Sequence, residues 1–211
     1  MSEWHLEILG RQQQRTLQEL GPALRPIRAY LVGGTALALH LGHRRSVDMD
    51  FFLYGSLDEP RTLVRELQAA GIPLRVRDIS EKAIQGTVRG VKLTIMSYDH
   101  LRLRRTVRCP SLNCELAAMD DLAAMKLSAV RLRAARRDYV DFWAMLRSGR
   151  SMHQMLNCYL RTFEVEDCRK VVHQLLNFDK LAHSRMPRML WKVRWSTIQA
   201  ELTDAVNPFR L

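Results

Sequence analysis

The hydrophobic pattern changes period several times along the chain, and those changes predict most of its elements. Trp4, Leu6, Ile8, Leu17 and Leu20 recur at helical spacing, so a helix is expected over 3–20, stopped by Gly21-Pro22. A short apolar strand over 29–32 runs into Gly33-Gly34, and Thr35 is expected to cap a compact helix ended by Gly42. The run over 47–54 reads as the next strand. A helix over 60–70 follows, opened by Pro60 and closed by Gly71. Three β-like runs come after it, LRVRDI, AIQGTV and VKLTIMSY, with Arg89-Gly90 as a hairpin turn between the last two.

From about Asp120 the pattern is helical almost throughout, over 120–133, 137–147, 151–161, 166–177 and 194–206. The expectation is therefore α+β: a mixed sheet with flanking helices over 1–105, then an all-helical lobe over 106–211, joined near 105–119. Neither repeats nor low-complexity segments interrupt it.

Composition narrows the partners. Among 211 residues, 33 Lys and Arg outweigh 22 Asp and Glu for a net charge of +11, concentrated in RLRRTVR and RLRAARR. That balance favours a polyanionic partner such as RNA, a nucleoside triphosphate or an acidic protein, against the alternative of a solvated basic face. The 4 cysteines show no paired spacing, the N-terminus lacks the pattern of a signal peptide, and no apolar run is long enough for a membrane span. A cytoplasmic protein with reduced thiols, not associated with a membrane, is expected.

The candidate chemistry begins in the segment LVGGTALALHLGHRRSVDMDFFL. Alternation puts Asp48, Asp50 and Phe52 on one strand face. Two neighbouring carboxylates repel unless a cation neutralises them, and magnesium, with its preference for oxygen ligands and phosphate, is one solution. Solvation at a strand end is the other. The Gly33-Gly34-Thr35 turn opens a helix, where unpaired amides and the helix dipole favour a phosphate, although a tight strand–helix connection would also use glycines. An anion site beside a cation site is what triphosphate chemistry requires. Further on, Lys126 sits at the centre of an apolar stripe, where its ammonium must snorkel, pair or serve a ligand. Asp138 and Asp141 share a helix face at a spacing of three, with Arg136-Arg137 as ordinary surface partners in the plainer reading.

The ordered pattern G-G-T-A-L-A-L…G-H-R-x-S-x-D-x-D-F-F resembles the signature of the AbiEii/AbiGii abortive-infection toxin family, within the polymerase-β-type nucleotidyltransferase superfamily. D-L-x-x-M-K, a basic run and D-[aromatic]-x-D resemble its later motifs, and the tail M-P-R-M-L-W…W-S-T-I-Q-A-E-L extends the likeness over nearly the whole chain. The resemblance implies a nucleotidyltransferase-like sheet. It implies Gly33, Gly34, Thr35, Arg44 and Ser46 around the nucleotide and Asp48 and Asp50 on Mg2+ or Mn2+. It also makes Asp48, Asp50, Lys126 and Asp138 catalytic, with Lys126 holding phosphate and Asp138 orienting the lysine or the acceptor. The expected reaction transfers NMP from an NTP to a hydroxyl of RNA, tRNA-like in kind, or of protein, by the toxin half of a toxin–antitoxin or phage-defence pair, with a cognate antitoxin protein as partner.

One departure bears on activity. The superfamily draws a third carboxylate from a later strand, and the matching position in VKLTIMSY holds Thr94. With two acids, a single metal carried on the nucleotide fits better than a two-metal site. A catalytically silent nucleotide-binding or interaction module is therefore the alternative expectation, and a plain basic RNA binder a third.

Overall fold

The computed structural model describes residues 4–133 and 135–210. Helices α1 (Arg11–Leu24), α2 (Gly33–Leu41) and α3 (Pro60–Ala69) alternate with strands β1 (Tyr30–Val32) and β2 (Met49–Tyr54). Strands β3 (Leu74–Ile79), β4 (Ala83–Val88), β5 (Val91–Tyr98), β6 (Val107–Cys109) and β7 (Cys114–Leu116) follow. The chain then runs through α4 (Met119–Leu132), α5 (Arg136–Arg147), α6 (Met152–Phe163), α7 (Arg169–Leu175) and α8 (Trp195–Val206).

The strands form one mixed sheet in the order β3-β4-β5-β2-β1-β7-β6. β2 runs parallel to β5 and antiparallel to β1, which is itself parallel to β7. The central strands are apolar on the side facing the core: Leu31, Met49, Phe51, Leu93 and Ile95 are all essentially buried. The Arg89-Gly90 turn has both residues at positive φ, 52° and 80°, as a two-residue hairpin with the twist of its strands needs.

The N-terminal helix departs from its expected bounds at both ends. Leu9 is extended and Gly10 is the N-cap of α1, with the Gly10 amide donating to Gln13 Oε1 at 3.0 Å, so only a 3-10 turn, Leu6–Ile8, precedes it. The helix also continues through Gly21-Pro22. Gly21 is not a stop. A Cβ there would overlap the Asn113 carbonyl, so the glycine lets α1 lie against the turn before β7. Thr35 lies inside α2 rather than capping it, whereas Gly42, at φ 66°, ends that helix as expected.

Strands β6 and β7 were not anticipated. Each has three residues, too short for alternation to be visible, and they extend the sheet through the segment read as a lobe connection. After them, the first turn of α4 turns back on the preceding loop. Asp121 accepts the Leu103 and Arg104 amides at 2.7 and 3.2 Å.

Candidate functional site

Asp50 is on β2, in register with Val32 on one side and Thr94 on the other. Asp48 lies just before the strand, which begins two residues later than the sequence pattern suggests, and the preceding Val47 is 68% exposed. Burial pushes the Asp50 carboxyl above its ordinary range. A hydrogen bond from Thr94 opposes that rise, and the nearby Asp48 charge adds to it. Thr94 therefore stands beside Asp50, on the neighbouring strand, where a third carboxylate would complete the set.

The glycine turn is built around these acids. β1 delivers the chain at Val32, opposite Asp50, and Gly33 turns into α2 at φ 69°. A Cβ on Gly33 would come within 2.9 Å of Asp50 Oδ2. A Cβ on Gly34 would overlap the Arg44 guanidinium. Thr35 donates to the Asp48 carbonyl and lies 2.9 Å from Ser46 Oγ, and Gln13 Nε2 holds the Ser46 carbonyl at 2.7 Å. The start of α2 thus fixes the loop that presents Asp48. Its first-turn amides have no acceptor within the helix.

Behind the acids lies a buried ionic network that joins sheet and helices. Asp141, fully buried on α5, accepts from Arg44 Nε at 2.5 Å, Arg44 Nη2 at 2.8 Å and His43 Nε2 at 2.8 Å. Lys126 on α4 reaches Asp141 Oδ2 at 2.5 Å and Asp138 Oδ1 at 3.0 Å. Arg133 bonds both Asp138 oxygens, at 3.1 and 3.3 Å. Burial alone would raise the Asp141 carboxyl. Arg44 and Lys126 outweigh it and hold the group well below its ordinary value. In Asp138, Lys126 and Arg133 overcome burial in the same direction. Desolvation keeps His43 neutral, and because a carboxylate only accepts, its proton sits on Nε2.

The predicted residues therefore divide. Asp48, Asp50, Gly33, Gly34, Thr35 and Ser46 come together around one turn, and the Lys126 and Arg133 charges act on Asp50 from across it. Arg44 instead points inward: its guanidinium is spent on Asp141 and on the Arg45 carbonyl. Asp141, which the sequence shows only as the partner of Asp138 at a spacing of three, stands at the hub of this network. Arg133 and Arg137, the latter 3.6 Å from Asp48 Oδ2, were hidden in a run of basic residues that all look alike in sequence. The C-terminal segment closes over the same loop, with Leu190 and Trp191 donating to the His43 carbonyl and Arg45 to that of Arg188.

Two carboxylates flanked by Thr94 do not make a closed metal cage, and among the described residues no group of three or more His, Cys, Asp or Glu is placed to hold an ion. The donor set does suit a hard divalent cation that brings its remaining ligands as phosphate and water. Repulsion between Asp48 and Asp50 would be relieved by such an ion.

Known proteins share this arrangement of elements. The family described as nucleotidyl transferase AbiEii toxin, type IV TA system, matches residues 15–112, a span that includes the glycine turn and both acids. The resemblance read from the sequence holds there; Lys126, Asp138 and Asp141 lie beyond the matched span. An uncharacterized protein of Aquifex aeolicus is 27% identical over 154 residues, covering 71% of this chain and 73% of its own. Among solved structures, MenT4, a nucleotidyltransferase toxin of Mycobacterium tuberculosis, is 14% identical with a TM-score of 0.58, over 92% of this chain and 81% of its own. A candidate nucleotidyltransferase from Helicobacter pylori is 16% identical with a TM-score of 0.57, over 96% of both chains. The antibiotic-resistance factor ANT(2'')-Ia is 11% identical with a TM-score of 0.54, over 72% of this chain and 91% of its own. At such identities these likenesses establish the fold, which is that of a nucleotidyltransferase.

Proposed function

We propose that this chain, similar over residues 15–112 to the AbiEii nucleotidyltransferase toxins, transfers NMP from a nucleoside triphosphate to a hydroxyl of RNA, with loss of pyrophosphate. The observation that carries this reading is the placement of Asp48 and Asp50 against the Gly33–Thr35 turn, with the Lys126 ammonium acting on Asp50 from the helical side. The first-turn amides of α2 would receive the phosphate tail, and the glycines leave the backbone open to it. Asp48 and Asp50 would hold a magnesium or manganese ion, which when bound supplies charge neutralisation on the triphosphate. Lys126 has three N–H donors, of which one bonds Asp138, and its ammonium also pairs with Asp141. A remaining N–H would meet charge developing on the phosphoryl oxygens. Asp138, saturated by Lys126 and Arg133, positions the lysine and is poorly suited to take a proton. The toxin resemblance further supports a cognate antitoxin protein as partner.

Two observations favour the silent alternative: Thr94 beside Asp50 and a Lys126 side chain only 6% exposed. The two readings separate on incubation of each labelled triphosphate with cellular RNA and protein pools, in the parent chain and in Asp48→Asn/Asp50→Asn. Label in RNA that disappears in the double variant supports transfer to RNA. Label in protein moves the acceptor to a polypeptide. Magnesium-dependent nucleotide binding without label in either pool overturns the enzyme reading.

A further inference from the structure

A second polar site lies at the other end of β1. Its pocket of about 250 Å³ is lined by Arg25, Arg28, Arg102 and Arg108, with Asn113 and Glu115. The arginines converge from three parts of the chain: the end of α1 and the turn after it, the loop before β6, and β6 itself. Four guanidinium groups share the pocket wall with one carboxylate, Glu115, whose contact with Arg108 is loose at 4.0 Å, while the Asp121 carboxylate acts on Arg102 from behind the wall. Among the described residues, Arg25, Arg28 and Arg102 form no ion pair.

Such a concentration of positive charge is unfavourable unless something offsets it, and the surroundings hold it in place. The loop carrying Arg102 is tied down by Asp121 through the adjacent Leu103 and Arg104 amides. The Arg102 guanidinium then sits over two aromatic rings, 5.7 Å from the centre of Tyr30 and 5.8 Å from that of Tyr54. Tyr30 is fully buried and its hydroxyl lacks a partner, whereas Tyr54 is 59% exposed.

Tyr54 also links the pocket to the acids. Asp50, Phe52 and Tyr54 share the less buried face of β2. Four residues of strand place Tyr54 roughly 13 Å from Asp50. An exposed ring lying between a carboxylate pair and an arginine pocket suits a base stacked on the tyrosine with a backbone phosphate in the pocket. A single carboxylate is satisfied by one bidentate guanidinium, whereas a phosphate presents oxygens in several directions, as donors from three elements require.

We propose that the Arg25–Arg28–Arg102–Arg108 pocket binds a backbone phosphate of the RNA acceptor, and that Tyr54 stacks a base of the same strand, a few nucleotides from the reacting end. The proposal rests on RNA as the acceptor in the reading above, and it is tested by binding rather than by transfer. Anisotropy of a labelled single-stranded RNA would be measured over a range of salt for the full chain, for Arg28→Gln/Arg102→Gln and for Tyr54→Ala. Unchanged melting temperatures would confirm that the variants fold. The pocket variant is expected to bind about tenfold more weakly, with a log–log salt slope reduced by about one for the lost phosphate contact. Tyr54→Ala is expected to lose about tenfold with its slope unchanged. Affinity and slope unaltered in both variants would overturn the proposal. So would polyglutamate displacing RNA as well as unlabelled RNA does while Tyr54→Ala has no effect, since that points to an acidic protein. Pocket-dependent RNA binding in a chain that transfers no nucleotide supports the pocket and counts only against the transferase.

Discussion

The Lys126 ammonium lies 2.5 Å from one oxygen of Asp141, and only 6% of the lysine side chain and none of the aspartate is exposed. The pair joins α4 to α5, and through Arg44 and His43 it also holds the loop that presents Asp48. The carboxylate at the hub is thus Asp141, while Asp138 fixes the lysine from the other side.

Neutralising Asp141 leaves Arg44 and Lys126 buried against a group that no longer balances them. Asp141→Asn is therefore expected to cost about 3–5 kcal/mol, the range for breaking a buried pair from one side. Urea unfolding would show it as a lowered midpoint with an unchanged slope. Asp99→Asn provides the contrast. Its ion pair with Lys82 is exposed on both sides at 3.3 Å, and its loss is expected to leave the midpoint where it is.

Lys126→Met separates structure from chemistry. Its removal leaves Asp138 with Arg133 and Asp141 with Arg44, so each carboxylate keeps a cation. The methionine fills most of the stem's volume within the apolar stripe. Stability is expected to fall less than in Asp141→Asn, while nucleotide transfer falls by about a hundredfold or more, as for loss of one donor to developing charge. Equal loss of stability in the two variants, with transfer retained, would assign Lys126 to the scaffold alone.

The site was legible where local chemistry declares itself. Glycines before a helix and alternating acids in an apolar run are short-range signals, and strands β3 to β5 have their expected bounds, marked by the turn residues between them and, in β5, by alternation. What escaped depends on contacts far apart in sequence. Gly21 looks like a helix stop until Asn113 is seen against it. Arg44 reads in sequence as a phosphate ligand, and its bond to Asp141, 97 residues away, is invisible there. Gly34 belongs with them: its missing side chain makes room for that same arginine.

Their different neighbours give opposite expectations for the two glycines. Gly34→Ala would push the Arg44 guanidinium off Asp141, so it should destabilise the fold by about 1–3 kcal/mol, an overpacking cost. Gly33→Ala presses instead on Asp50 Oδ2 and strains a backbone at φ 69°. Its main effect should be on magnesium-dependent nucleotide binding, read by calorimetry, and it should be weakened even under conditions where the variant is fully folded.

Acid should weaken the fold in two stages. Burial holds His43 and His40 below their ordinary value of 6.5, so as pH falls through that value the unfolded chain takes up protons that the folded chain refuses, and stability drops. Asp138 and Asp141 are held below 3.8, so their contribution, complete above that value, is lost as pH falls further through their folded values. Asp50, with its carboxyl raised, acts in the opposite sense and partly offsets the second stage. Melting temperatures from pH 8 down to pH 3 would be level at first, then decline, then fall steeply. A His40→Gln/His43→Gln variant should lose the first decline and keep the second.

Thr94→Asp tests what the missing third acid means. Thr94 is in register with Asp50, so an aspartate there adds a third negative charge to a strand pair already strained by two. In the presence of a chelator the variant should melt below the parent, because three close carboxylates cannot all ionise without cost. Magnesium should then raise its melting temperature more than it raises the parent's, since ligand binding to the folded state alone stabilises in proportion to its affinity. If the extra acid also raises transfer, Thr94 limits an active enzyme. If magnesium binding tightens while transfer stays absent, the limit lies at the enclosed Lys126, held by Asp138 and Asp141 away from any triphosphate.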